Sequence, residues 1–127
     1  MVLNALLRTE GIFKAGVSIA PVTDWRQYDT AYTERFMQRP MDNPEGYKET
    51  SLLGVAKNLD APLLLIHGLS DDNVHFVHSA TLIDELIKSG KHFDLMVYPG
   101  KDHGIRGDGY TLSHVFSTVT NFFKRHL

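Results

Sequence analysis

The stretch PLLLIHGLSDDNVHFVHSATLIDELIKSGKHFDLMVY, from Pro62 to Tyr98, decides the fold. It opens on an apolar run, Pro62 to His67, and closes on another, Phe93 to Tyr98. Runs of this kind, without polar alternation, are typical of strands buried on both faces of a parallel sheet. Between them Phe76, Ala80, Ile83 and Ile87 recur at helical spacing, and Lys88 and Gly90 supply a stop. That pattern predicts an amphipathic helix with those four side chains on its buried stripe. Strand, helix and strand form a βαβ unit, whose right-handed crossover brings the carboxyl ends of both strands to one edge of the sheet.

Working outward, AGVSIA at Ala15 to Ala20 is a third strand of the same character. The last segment, TLSHVFSTVTNFFKRHL, carries Leu112, Val115, Phe116, Val119, Phe122 and Phe123 on one stripe and ends in Lys124 and Arg125, as a closing helix should. The opening MVLNALLRTEG reads as the final turns of a buried helix with a glycine cap. Between Thr23 and Asn58 the pattern is irregular, with short helices expected near Gln27 to Phe36 and Leu52 to Asn58 in an excursion at the loop edge of the sheet. No repeat, linker or low-complexity tract divides the chain. The expected class is α/β, about three parallel strands flanked by helices. A first strand with one neighbour presents an unpaired apolar edge, and a start inside an element leads us to expect a segment of something longer.

Composition narrows the function. Thirteen Lys and Arg against 15 Asp and Glu leave a net charge of −2 with no basic run, so the footprint needed for nucleic acid or an anionic membrane is missing. No apolar run approaches a membrane span, and no basic leader with a small-residue cleavage site opens the chain. With no cysteine there is no disulfide, thiolate zinc site or cysteine nucleophile.

In open parallel sheets functional groups gather beyond the carboxyl ends of the strands. There the second strand runs into HGLSDDNVHF, with Asp71 and Asp72, and the third into PGKDHGIRG, with Asp102 and His103. A carboxylate bonded to imidazole Nδ1 fixes the tautomer and leaves Nε2 to take a proton from a nucleophile. The pair is two-thirds of a Ser-His-Asp triad, but the chain holds no G-x-S-x-G elbow. The competing plain readings are a capping turn for Asp71 and Asp72 and an exposed loop histidine for His103. The residues alone do not choose between the two aspartates. His67 reads as a satisfied core histidine. His75 and His78 with Asp71 have usable ligand spacing but no H-E-x-x-H pattern, so neither a metal nor any other cofactor is assigned.

Taken together, HGLSDDNVHF, the downstream DHG and APVTDWRQYDTAYTERF resemble the carboxyl-terminal part of the catalytic domain of the prolyl oligopeptidase family of serine peptidases, in its dipeptidyl peptidase IV branch. The resemblance covers residues 1–127 and implies the carboxyl-terminal portion of an α/β-hydrolase fold, with the nucleophile elbow and a propeller domain upstream of Met1. It further implies Asp71 as triad acid and His103 as general base. Val22, Trp25, Tyr28, Tyr32 and Val74 become the wall of a pocket for a penultimate proline or alanine, and Asn73 the holder of a substrate carbonyl. Such a pocket suits proline, whose ring is apolar and has no N–H to satisfy. Asp29, between two of the aromatics, is expected to orient a tyrosine hydroxyl.

By the same resemblance the full-length protein removes dipeptides, or tripeptides, from free amino ends, forms a homodimer and resides in the periplasm or at the cell surface. This segment alone, without a nucleophile, is expected to be inactive. The alternatives are an acylaminoacyl peptidase or esterase of the same fold, or a non-catalytic binding module that kept it.

Overall fold

The computed structural model describes residues 1–127. Three parallel strands, β1 (Gly16–Ile19), β2 (Leu63–Gly68) and β3 (Asp94–Tyr98), lie in the order β1-β2-β3. Every residue of β2 is buried. Its Leu63 and Leu65 enter one core with Leu3, Leu6 and Leu7 of helix α1 (Val2–Arg8) and Leu82 and Leu86 of helix α4 (Val77–Lys88). Its Leu64 and Ile66 enter a second core with Val115 and Phe122 of helix α5 (Gly109–His126). Burial on both faces is therefore what an unbroken apolar run means for β2. The expectation fails for β1 and β3, where Ile19 and Leu95 are exposed. Each of these strands has a single neighbour in the sheet.

Along the open edge of β1 runs an apolar groove of about 400 Å³, walled by Ala5, Phe13, Ile19, Phe116, Val119 and Phe123. Phe116 and Leu112 of α5 are exposed, so only part of the expected stripe on that helix is buried. α1 stops at Arg8 with Thr9 as its cap, before Gly11, which takes its positive φ in the turn beyond.

The buried face of α4 differs from the expected one. His78, Ser79, Leu82 and Leu86 face inward, while Ala80 and Ile87 are exposed and Ile83 is half-buried. The stripe is turned by one residue because two polar side chains, His78 and Ser79, have partners inside. The predicted stop is present: Gly90 has a φ of +66°, its N–H donates to Ile87 and the Lys91 N–H donates to Leu86. Those two bonds make a Schellman cap.

At Ala20, with a φ of +45°, the chain leaves the sheet for the excursion. A short 3-10 turn (Trp25–Gln27) precedes α2 (Thr30–Met37), and a second 3-10 segment (Leu53–Asn58) ends the excursion. A helix that the sequence reading overlooked, α3 (Pro44–Thr50), lies between them. Its start signal is Asn43 as N-cap, accepting from the Gly46 N–H at 3.2 Å, followed by Pro44 in the first turn. Leu52 N–H donates to the Thr23 carbonyl and closes the base of the excursion. Arg8 pins the same base by donating to the Glu49 and Ser51 carbonyls. No helix is long and apolar enough to cross a membrane.

Candidate active site

Two loops leave the carboxyl ends of β2 and β3 and meet. The Leu69 N–H donates to Tyr98 and the Ser70 N–H to Lys101, both at 3.0 Å. Gly68 permits that approach, since a Cβ there would fall on the carbonyl oxygens of Lys101 and Asp102. A side chain at this position has no room, which is one reason a strand ends in glycine.

Beyond Gly68 the chain folds into a tight turn around Asp71, whose side chain is fully buried. Asp71 Oδ1 accepts the N–H groups of Asn73 at 3.0 Å and Val74 at 2.8 Å. Its other oxygen, Oδ2, accepts from His103 Nδ1 at 2.9 Å. Burial by itself would push the Asp71 carboxyl up. The bonds from His103, Val74 and Asn73 outweigh it and hold the group below the usual carboxylate range. Asp72, one residue on, points to solvent. Of the two aspartates, packing buries Asp71 against His103 and leaves Asp72 outside.

His103 is held from Nδ1 while its side chain remains 44% exposed, so Nε2 is the nitrogen outside the pair. Its loop is shaped by Asp102, which accepts the Gly104 and Arg106 N–H groups, and by Ile105, buried at a φ of +49°. Lys101 bonds Asp108, the N-cap of α5, at 2.5 Å and ties the far end of the loop to that helix. This arrangement can draw a proton onto Nε2 and stabilise the resulting imidazolium, provided a hydroxyl stands beside it.

The expected pocket residues form a second group on the same edge. Trp25, Tyr28 and Tyr32 pack as a triangle with ring centroids 5.6–6.0 Å apart. The Tyr28 hydroxyl donates to Asn73 Oδ1 at 2.6 Å, joining the aromatics to the Asp71 turn. Burial, with the nearby carboxylates of Asp29 and Asp71 adding to it, raises the Tyr28 phenol, so the hydroxyl keeps its proton. Tyr32 is half exposed, Val22 is half-buried beyond β1, and Val74 is buried beneath the turn. Asp29 departs from expectation: it caps α2 through the Tyr32 N–H at 2.9 Å instead of touching a hydroxyl.

Under the aromatics, Thr23 donates through Oγ1 to the His78 carbonyl at 2.8 Å and through its N–H to His78 Nδ1 at 3.3 Å. Burial pushes the His78 imidazole down. Asp24 is buried with Arg26 and Ser51 as partners and caps the 3-10 turn that carries Trp25. His75 is exposed, and no three acidic or histidine side chains converge to hold a metal ion.

Comparison with known proteins places the chain in a family. The chain is 47% identical over 108 residues to a probable dipeptidyl-aminopeptidase B of Neurospora crassa, a match covering 83% of this chain and 12% of that protein. It is 41% identical over 128 residues to dipeptidyl peptidase 4 of Felis catus, covering 98% of this chain and 16% of the relative. It therefore spans less than a fifth of the length of these curated relatives. Among solved structures, dipeptidyl peptidase 4 of Porphyromonas gingivalis superposes with a TM-score of 0.95 at 42% identity, covering 98% of this chain and 18% of that one. The fold is accordingly that of the carboxyl-terminal portion of an α/β-hydrolase domain. The sequence profile of the prolyl oligopeptidase family matches residues 1–127, and the chain belongs to that family.

Proposed function

We propose that this chain is part of the catalytic domain of a serine-type exopeptidase that releases dipeptides, or tripeptides, from free amino ends after proline or alanine. The observation that carries the reading is the 2.9 Å bond between His103 Nδ1 and buried Asp71 Oδ2 at the meeting of two strand-end loops. In this reading His103 Nε2 takes the proton of a serine hydroxyl at a G-x-S-x-G elbow elsewhere in the full-length protein. The serine oxygen forms a bond to the scissile carbonyl carbon. The proton then passes from Nε2 to the leaving amine as the peptide bond breaks, and a water repeats the sequence to free the acyl group. Asp71 stays ionised throughout and stabilises the imidazolium.

Specificity comes from the aromatic triangle. Trp25, Tyr28 and Tyr32, with Val22, offer apolar faces to a proline ring or an alanine methyl, Val74 backs the wall from beneath the turn, and the Asn73 amide holds a substrate carbonyl. The aromatic triangle and the Tyr28–Asn73 bond favour this over an acylaminoacyl peptidase or esterase. The full-length protein should cleave a Gly-Pro chromogenic amide in preference to an acetylated amino-acid amide. The reverse preference would overturn the specificity, and loss of neither activity in His103→Ala would overturn the mechanism. The resemblance also implies a homodimer, for which exposed Leu112 and Phe116 of α5 supply apolar surface. A monomeric mass of the full-length protein by light scattering would remove that part.

A further inference from the structure

The acid–histidine pair stands on a second histidine that the mechanism does not use. His67, in β2, is completely buried, with its ring edge-on to Phe76 at 5.4 Å. Its Nε2 lies 2.8 Å from the Val74 carbonyl and 3.3 Å from Asp71 Oδ2. Both are acceptors, so Nε2 is the nitrogen that carries hydrogen. At the other side of the ring Ser79 Oγ, also buried, lies 2.7 Å from Nδ1 and bonds it. The hydrogen on Nε2 is set by the Val74 carbonyl, which can only accept, and Nδ1 is met by the hydroxyl of Ser79. Through it α4 is linked to the floor of the site.

We infer that His67 is a positioning residue for the Asp71–His103 pair, clamping the Asp71–Val74 turn through the Nε2 hydrogen that the Val74 carbonyl accepts. Asp71 has two oxygens and four hydrogen-bearing neighbours. Oδ1 takes the Asn73 and Val74 N–H groups, which fixes the carboxylate plane only while the turn stays closed. His67 closes it by holding the Val74 carbonyl, and the same Nε2 lies 3.3 Å from Oδ2. Oδ2 thus has two imidazole nitrogens beside it, His103 Nδ1 at 2.9 Å and His67 Nε2 at 3.3 Å. Without His67, a buried Val74 carbonyl loses its partner and the turn relaxes to find another. A shift of the acid by a fraction of an ångström is enough to misdirect Nε2.

The inference rests on the peptidase reading, and the test separates the two. In the full-length protein His67→Leu, His67→Gln and Ser79→Ala are compared by kcat on a Gly-Pro chromogenic amide and by the His103 Nδ1–H signal of histidine-labelled protein. A misplacement of this kind costs on the order of a hundredfold, so His67→Leu should lose about that much in kcat and broaden or lose the signal. Glutamine, whose Nε2 amide still donates to Val74, should restore most of both, which a mere filler of the core would not. Ser79→Ala should fall between. Wild-type kcat in His67→Leu or in Ser79→Ala overturns the inference. So does a glutamine variant as impaired as leucine with its His103 signal intact. If the leucine variant fails to fold, the glutamine and alanine variants decide alone. Failure of the wild-type protein to hydrolyse the amide sinks the peptidase reading, while the His103 signal across the variants still decides the role of His67.

Discussion

The two loops that meet at the site are built on opposite plans. The first, Leu69 to Val74, buries the Asp71 carboxylate and bonds both of its oxygens. The second, Pro99 to Asp108, exposes the His103 imidazole and is held by one buried side chain, Ile105, and a few solvent-facing bonds. An acid whose only task is to hold charge and direction gains from burial and a full set of donors. A base that must meet a substrate and exchange a proton needs an open side. The contrast teaches that, in the proposed reading, the site is stiff where charge would be stored and accessible where protons would move.

Breaking the stiff side should cost most. Asp71→Asn in the full-length protein should lower kcat/KM about ten-thousandfold, the loss seen when a triad acid no longer fixes the tautomer of its histidine. Asp72→Asn, one residue away but exposed, should leave kcat/KM near wild type. Equal losses in the two would show that the burial difference does not matter. Gly68→Ala attacks the join between the loops, where a methyl group would meet two carbonyl oxygens. Overpacking of this kind costs about 1–3 kcal/mol, so its Tm and its activity should fall together.

Tyr28→Phe sharpens the comparison from the pocket side. It removes the hydroxyl donor to Asn73 but keeps the aromatic triangle, so KM for a Gly-Pro amide should rise several-fold, in line with one hydrogen bond worth about 1 kcal/mol. A kcat effect with unchanged KM would place Tyr28 elsewhere in the mechanism. Beneath the pocket, His78 provides a pH test. Its folded-state value is pushed below the ordinary 6.5 by burial, so the unfolded chain binds the extra proton first. Stability contributed this way is present above pH 6.5 and lost as pH falls towards the folded value, at most about 1.4 kcal/mol per pH unit. His78→Gln should flatten the loss that begins below pH 6.5 in urea titrations. The loss from Asp71, also depressed, should remain, beginning below its ordinary 3.8. On the open loop the smallest effect is expected: Lys101→Met breaks an ion pair with Asp108 that solvent screens, and should change Tm only slightly.

Much of this was legible because it is written in single residues with strong local meaning. The apolar run of β2, the Gly90 stop of α4 and the HG-x-x-DD and DHG segments announce a parallel sheet with acid and histidine on adjacent loops. The start of α3 at Asn43-Pro44 was equally plain and was overlooked amid irregular sequence. The buried stripe of α4 was not legible from hydrophobicity, because two of its members are polar. His78 and Ser79 face inward only because Thr23 and His67 are there to bond them. Periodicity counts apolar side chains and has no means of seeing a partner supplied by a distant segment.

By itself, then, the sequence determined the class of fold, the edge on which the chemistry collects and the residue types available there, since those follow from local periodicity and from the geometry of every parallel βαβ unit. Tertiary structure alone decided which of two consecutive aspartates turns inward and how the acid is braced. Neighbouring residues point in different directions. Which one is buried depends on donors that the sequence holds far apart: the Asn73 and Val74 amides on one loop, His103 on another, and His67 in the strand below.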